Sequence, residues 1–350
     1  MRLFVIAIIA SVAVLAQGAS IARAQATKPA ASWNNVTHNA GGDKWGYAGV
    51  TYMAAVPGTD EIIAGVSEAG LWSTRDRGKI WTKLGGKDAT QIQNRPYQII
   101  FDPKDPKTFW ESGSYNGPGL FKTSDGGQTF TPLGKVTHLD GIGVDFTDPA
   151  RKTLLLCHHE QLRSVEKSVD GGQTWQKIGP NVPEPINFTS DLVVFDSKTY
   201  LVNAAGWKQE NGKQLPFGIY RTADGGATWA KVFDAGPSGP ACVTPTAIYW
   251  QTLWAAGLVT SGDQGKTWQK LPGPIKTNPI ELAGKRLAAT VEKQLYISPD
   301  AGKTWKPVGA PLPFKPNGIV YSENGRAIYA WRSTEAKEDG VIERLDLEGQ

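Results

Sequence analysis

The chain is poor in the features that mark several large classes of protein. Only two of its 350 residues are cysteine, which excludes a dense disulfide framework. Beyond the first 26 residues, no segment approaches the roughly 18 consecutive apolar residues of a membrane-spanning helix. Helical periodicity of the apolar residues is also scarce. The net charge is +4, and it falls to +2 without Arg2 and Arg23 of the first 26 residues, so nothing suggests a nucleic-acid partner. With 40 glycines, 23 prolines and 13 tryptophans, the chain has the composition of an all-β protein with many short strands.

The first 26 residues have the pattern of a secretory signal peptide. Arg2 precedes an apolar run over 3–15, and small residues surround a cleavage position after Ala24 or Ala26. We therefore expect an exported protein, periplasmic or extracellular, with no membrane-spanning segment after cleavage.

Six octets of the form Ser/Thr-x-Asp-x-Gly-x-Thr-Trp repeat along the chain. Their aspartates are 49, 45, 54, 39 and 37 residues apart, which fits one four-stranded blade per repeat. In a tight turn Asp accepts hydrogen bonds from free amides and Gly permits positive φ, so these acids are predicted to be structural. The six are Asp76, Asp125, Asp170, Asp224, Asp263 and Asp300.

The two ends of the chain are predicted to share one blade. After Trp305 three strand-like runs follow, near 318–321, 327–331 and 341–345, but no seventh octet. The segment Trp33–Val36 has the spacing of an outer strand, so it should complete that blade and leave no free sheet edge. The predicted fold is an all-β, seven-bladed β-propeller over residues 27–350, a single domain whose N-terminal strand closes the last blade.

The octets resemble the Asp-boxes, or BNR repeats, of sialidases, sortilin-type domains, xyloglucan-cleaving glycosidases and photosystem II assembly factors. The resemblance covers nearly all of the chain after the leader and implies a propeller. It does not imply a reaction, because these families share the turn without sharing an activity. The Arg-Ile-Pro segment of sialidases is absent, and Ser67 stands where the xyloglucanase-type segment has Asp.

Successive antiparallel strands place the octets on one rim and the remaining connections on the other, where a ligand site is expected. All four histidines fall in those connections. Imidazole titrates near neutrality, and glycoside hydrolysis needs two carboxyls roughly 5–9.5 Å apart. The candidate catalytic residues are Asp43, Glu68, Asp140, His158, His159 and Glu160; the candidate substrate-binding residues are His38, Trp45, Arg95, Tyr115, His138, Trp207 and Trp331.

Two functions stay open at this point. The first is a carbohydrate-active enzyme, either a sialidase-like glycoside hydrolase or a polysaccharide lyase, and the second is a non-catalytic propeller that holds a glycan or a protein. The alternative interpretation of each candidate catalytic acid is a carboxylate that is solvated in a loop or that caps a turn. No His-x-x-x-His or Cys-x-x-Cys spacing indicates a metal, no cofactor is expected, and a monomer is predicted. Cys157 and Cys242 fall in predicted strands of blades that are not neighbours, which favours two buried thiols over a disulfide.

Overall fold

A computed structural model gives the fold of residues 31–43, 45–86, 92–183, 191–204, 209–210, 213–214, 217–252, 257–334 and 340–347. The predicted signal peptide and Trp207 lie outside these residues. Seven four-stranded antiparallel sheets form the blades of a β-propeller, as predicted from the octets. Of the described residues, none belongs to a helix with the length and hydrophobicity to cross a bilayer.

In blades 1 to 6 the strands follow the chain from the central axis outward, and in blade 7 the outer strand comes from the N-terminal segment. The first strand, β1 (Asn34–Asn35), is the outer strand of blade 7. Blade 1 holds β2 (Val50–Ala55), β3 (Ile62–Val66), β4 (Gly70–Thr74) and β5 (Thr82–Lys83). Blade 2 holds β6 (Arg95–Asp102), β7 (Asp105–Ser114), β8 (Leu120–Thr123) and β9 (Thr131–Pro132). Blade 3 holds β10 (Leu139–Val144), β11 (Leu154–His158), β12 (Val165–Ser168) and β13 (Gln176–Lys177).

The other four blades follow the same order. Blade 4 holds β14 (Leu192–Val194), β15 (Tyr200–Ala204), β18 (Gly218–Thr222) and β19 (Ala230–Phe233), with a hairpin of β16 (Gln209–Glu210) and β17 (Lys213–Gln214) inserted. Blade 5 holds β20 (Cys242–Val243), β21 (Ile248–Thr252), β22 (Gly257–Ser261) and β23 (Gln269–Lys270). Blade 6 holds β24 (Ile280–Leu282), β25 (Arg286–Val291), β26 (Gln294–Ser298) and β27 (Lys306–Val308). Blade 7 holds β28 (Gly318–Ser322), β29 (Ala327–Arg332), β30 (Val341–Asp346) and β1, and 3-10 helices cover Gly179–Asn181 and Ala283–Lys285.

Each octet forms the turn between the third and fourth strands of its blade, and its Asp is bonded inside that turn. In the blade 3 octet the Ser168 hydroxyl donates to Asp170 Oδ1 at 2.7 Å and accepts from the Gly172 amide at 2.8 Å. Thr174 donates to the same carboxylate through both its amide and its hydroxyl. The hydrogen bonds from Thr174 and Ser168 hold the pKa of Asp170 below its ordinary value. The octet acids are thus occupied by the backbone of their own rim.

The octets also join neighbouring blades. Gly226 has φ of +92°, and a Cβ built on it would lie 2.6 Å from Ile178 of the preceding blade. Trp81 and Trp229 are buried in the clusters that separate their blades from the preceding ones. Seven apolar clusters among the described residues fill the seven blade-to-blade interfaces. The octet glycine and aromatic therefore belong to the packing between blades as much as to the turn.

The N-terminal segment closes the ring as predicted. Strand β1 pairs antiparallel with β30, and the Val36 amide donates to the Ile342 carbonyl at 2.8 Å. The Trp81 indole of blade 1 donates to the Val36 carbonyl at 2.9 Å. The outer edge of the last blade is thereby covered. Cys157 and Cys242 are both free, in β11 and β20.

We expect removal of this closing strand to destabilise the whole ring. A protein that begins at residue 38 loses the β1–β30 pairing and the hydrogen bonds of Val36 and Thr37 with Ile342 and Trp81. At about 1 kcal/mol per hydrogen bond, its free energy of unfolding should fall by roughly 3–5 kcal/mol. Urea denaturation measures the difference, with a protein that begins at residue 31 as the matched control. Equal stability of the two proteins would contradict the closure.

Candidate functional site

The connections opposite the octets form the second rim of the ring, which we call the loop face. Three of them meet above blades 2 and 3: the β7–β8 connection carries Tyr115, the β9–β10 connection carries His138, and His159 directly follows β11. Asp140 is the second residue of β10, in a stretch where the pairing with β11 shifts register between Leu139 and Ile142. Such bulges re-aim side chains beside functional sites. We call Tyr115, His138, Asp140 and His159 the His–Tyr cluster.

His159 lies between an acid and a phenol. Its Nδ1 is 2.7 Å from Asp140 Oδ1, and its Nε2 is 3.3 Å from the Tyr115 hydroxyl. An ionised Asp140 requires the proton on Nδ1, which leaves the Nε2 lone pair to face Tyr115. The Asp140 side chain is only 2% exposed, whereas Tyr115 is 45% exposed. Glu160, also exposed, lies 3.7 Å from His159 Nε2 through its Oε1.

His138 holds Tyr115 in place. The Tyr115 amide donates to His138 Nδ1 at 3.0 Å, so this imidazole is neutral with its proton on Nε2. Burial is the largest cause that lowers the pKa of His138, in agreement with a neutral ring. The rings of Tyr115, His138 and His159 meet edge to face at centroid distances of 4.9–5.5 Å.

The backbone of this region is unusually constrained. Tyr115, His138, Glu160 and Glu68 have positive φ of 69°, 61°, 57° and 62°. Side chains other than glycine rarely adopt this conformation, and it costs on the order of 1–3 kcal/mol where it occurs. The cost is met by the surrounding structure, which holds these four side chains in set positions.

Arg95 brings a positive charge to the cluster. Its guanidinium carbon lies 4.7 Å from the centroid of the Tyr115 ring and 5.6 Å from that of Tyr47. A depression of about 330 Å³ lies beside these two rings and is lined by Tyr47, Tyr115, Ser67, Glu68 and Asn116. The Asn116 amide donates to Glu68 Oε1 at 3.4 Å across this depression. Aromatic and polar side chains thus line the depression, and one cation packs on both of its rings.

Other residues predicted for the site lie elsewhere. His158 points away from His159: its Nδ1 is 3.0 Å from the Thr137 carbonyl and its Nε2 is 3.4 Å from Glu166 Oε1. His38 and Asp43 are exposed, and no described hydrogen bond, ion pair or ring contact joins either to the cluster. His38 instead precedes Asn39, whose side chain is bonded to the backbone of Trp81.

The structure corrects the expectation that Trp45 and Trp331 are exposed aromatic platforms. Trp45 is 7% exposed, and its indole donates to the Ala40 carbonyl. Trp331 is 6% exposed and packs in the same core cluster between blades 7 and 1. Both rings fill space between blades and are not exposed platforms, and Trp331 also lines the cavity at the central axis that is described below. Trp207 is outside the described residues.

Neither Tyr47 nor Glu111 was predicted from the sequence as a site residue. Tyr47 lies two residues after the predicted Trp45, and this nearness in the chain is the signal that could have included it. Glu111 is 1% exposed in β7, beneath the loop that carries Tyr115. No sequence signal marks this burial, because the neighbouring strand residues are of mixed polarity.

Glu111 forms a buried pair with Asn94. The Asn94 amide donates to Glu111 Oε2 at 3.3 Å and to the Pro118 carbonyl at 3.1 Å. Within the described part of the chain, Glu111 Oε1 and Asn94 Oδ1 have no hydrogen-bond partner. Burial raises the pKa of Glu111 to about 8, so the acid is protonated at neutral pH and can supply the donor that Asn94 Oδ1 lacks. The pair ties the start of blade 2 to the loop of Tyr115.

A second concavity opens at the mouth of the central axis, also on the loop face. It has a volume of about 600 Å³ and is lined by residues of blades 1, 2, 5, 6 and 7, among them Tyr52, Tyr97, Lys276, Asn278 and Asn317. The Tyr97 hydroxyl donates to Asp191 Oδ1 at 3.1 Å. Burial, with Asp191 as the next cause, raises the pKa of Tyr52 to about 12 and also raises the pKa of Tyr97. Both phenols are therefore neutral.

Comparison with known proteins agrees with the fold. No family model matches the chain. A probable oligoxyloglucan-reducing end-specific xyloglucanase of Neosartorya fischeri is 25% identical over 191 residues, covering 51% of this chain and 21% of its own length. A xyloglucanase of Paenibacillus sp is 25% identical over 299 residues, covering 69% and 28%. The chain thus spans between a fifth and a third of the curated relatives that it matches.

A solved structure of YCF48 bound to D1 peptide superposes with a TM-score of 0.55 at 16% identity, over 91% of this chain and 99% of that one. At this identity the likeness shows the propeller fold. The chain is therefore a seven-bladed propeller with weak sequence similarity to xyloglucanases.

We predict that Glu111 makes the stability of the protein depend on pH. Because the pKa of Glu111 is raised from 4.5 to about 8 in the folded state, its contribution is complete below about pH 4.5 and is lost as the pH rises through 8. Glu111→Gln keeps a neutral amide partner for Asn94, so the fall in stability over this range should become shallower. Urea midpoints at several pH values measure it.

Glu323→Gln, an exposed acid between β28 and β29, is the matched control and should leave the slope unchanged. A slope that is the same in Glu111→Gln and in the unmodified protein would contradict a protonated Glu111.

Proposed function

We propose that the protein is an exported propeller that recognises glycans at the loop face of blades 1 to 3. The observation that carries this proposal is the depression walled by the exposed rings of Tyr47 and Tyr115, on which Arg95 packs and which adjoins the rest of the His–Tyr cluster. Sugar rings present apolar faces that pack on aromatic side chains, and a few fixed polar groups then set their orientation. The partial similarity to xyloglucanases supports a glycan as the ligand.

Export is part of the proposal. The leader over 1–26 and the residues around Ala24 support secretion to the periplasm or the medium, where polysaccharides are accessible. A glycan site on a rigid ring suits that setting, since the strained residues Tyr115, His138 and Glu160 are already held in position.

A second candidate function is recognition of a protein segment at the central axis. The cavity of about 600 Å³ supports it, because Lys276, Asn278 and Asn317 offer donors at a wide mouth. The similar propeller YCF48 is bound to D1 peptide in its solved structure, which supports a peptide as the alternative ligand.

Binding measurements separate the two candidates. Isothermal titration with xyloglucan oligosaccharides, cello-oligosaccharides and oligogalacturonates should show saturable binding of at least one class. Tyr115→Ala should raise its Kd by about tenfold, equivalent to ~1.4 kcal/mol, because the exposed ring is removed. Lys276→Ala, at the axial cavity, should leave this Kd unchanged.

Thermal unfolding of both variants checks that the ring is intact. A Kd that rises in Lys276→Ala and not in Tyr115→Ala would favour the axial cavity as the ligand site. Failure of all three glycan classes to bind would contradict the proposed function.

A further inference from the structure

The Arg95 guanidinium is positioned but not neutralised. Arg95 is the first residue of β6, and its pairing with Ser114 of β7 fixes its backbone. Among the hydrogen bonds and ion pairs of the described residues, none involves its side chain, which rests on the rings of Tyr115 and Tyr47. A planar guanidinium binds a carboxylate through two parallel hydrogen bonds. A cation packed on the two rings that wall the depression therefore suits a ligand that carries a carboxylate.

The adjacent chain of groups has the order of a proton relay. Asp140 holds the His159 imidazole through Nδ1 at 2.7 Å, and His159 Nε2 faces the Tyr115 hydroxyl at 3.3 Å. The His159 and Asp140 side chains are 12% and 2% exposed, so Tyr115 is the member that a ligand reaches. Proton removal by Tyr115 can be coupled to proton uptake at His159, because Asp140 and the nearby Glu160 stabilise an imidazolium.

The same geometry disfavours glycoside hydrolysis by two carboxylates on opposite sides of a sugar. Hydrolysis of that kind requires two acids that both face the substrate. Asp140 is buried and is bonded to His159, so it orients a base and does not reach a sugar. Of the acids predicted from sequence, Glu68 and Glu160 remain exposed on the loop face.

We propose that this site cleaves glycans that contain uronic acids, by β-elimination, an inference that rests on the proposed glycan recognition. Arg95 binds the C6 carboxylate and stabilises the negative charge that spreads onto it when C5 is deprotonated. Tyr115 Oη takes the C5 proton while its own proton moves to His159 Nε2. The C4–O bond then breaks as the C4=C5 double bond forms.

The leaving oxygen takes a proton back from Tyr115, which His159 reprotonates. Each bond broken is matched by one formed, and no water or other co-reactant is consumed. Asp140 and Glu160 do not touch the reacting atoms in this scheme. Asp140 is a positioning residue that holds the tautomer of His159.

The test uses the full chain with polygalacturonate, polyglucuronate and alginate as probes, and carboxyl-reduced polygalacturonate as the matched neutral substrate. Turnover is followed by the ultraviolet absorbance of the C4=C5 product, and binding by isothermal titration. We expect unsaturated product from at least one polyuronate and none from the carboxyl-reduced polymer.

Two variants separate the roles of the residues. Tyr115→Phe removes only the hydroxyl and should lower kcat on the order of 10²–10⁴-fold with little change in Kd. Arg95→Gln should weaken binding of the polyuronate by about tenfold or more and leave binding of the carboxyl-reduced polymer unchanged. Tyr296→Phe, a half-buried hydroxyl in β26 of blade 6, is the control and should keep full turnover.

The outcomes distinguish the inference from the proposed function. Binding of a polyuronate without unsaturated product, or release of new reducing ends without the double bond, would overturn the elimination and leave glycan recognition standing. Full turnover in Tyr115→Phe, or unchanged polyuronate binding in Arg95→Gln, would overturn the assigned roles. Absence of binding to every glycan, neutral or acidic, would remove both proposals.

Discussion

The contact between each octet and the preceding blade is the interaction on which the rest of the propeller depends. The octet glycine can approach its neighbour closely because it has no Cβ, as at Gly226 against Ile178. The octet aromatic then enters the apolar cluster between the two blades, as Trp229 does. The same residues that shape the turn thus set the spacing between sheets. A ring results because the contact repeats around the axis and because the N-terminal segment supplies the last outer strand.

This construction gives the two rims different chemistry. On the octet rim the carboxylates are bonded to amides and hydroxyls of their own turns, so their lone pairs are occupied. On the loop face the connections are not bound to a repeated motif, and they can place side chains such as Tyr115 and His138 in strained backbone conformations. A rigid ring can tolerate the free-energy cost of these conformations, because the packing of the seven blades is kept when a few loop residues are strained.

Two buried acids below the loop face show how the partner of a carboxyl determines its use. Asp140 has the Nδ1 atom of His159 2.7 Å away and orients that imidazole. The described partner of Glu111 is the amide of Asn94, and burial raises the pKa of Glu111, so it serves as a neutral bridge between strand and loop. Both acids are nearly inaccessible, and their different roles follow from an imidazole partner in one case and an amide partner in the other.

The octet spacing by itself determined the architecture, the rim on which the turns lie and the closure by Trp33–Val36, because these depend on local turn chemistry repeated along the chain. It also placed Arg95, Tyr115, His138, Asp140 and His159 on the loop face. Tertiary structure alone decided which of these meet and which do not. Adjacent His158 and His159 diverge because the chain leaves β11 between them, and Trp45 is buried because Gly340, almost 300 residues later, packs against its ring. Contacts between distant segments carry no signal in a single sequence, since they depend on how the blades fit together and not on the residues next to them in the chain.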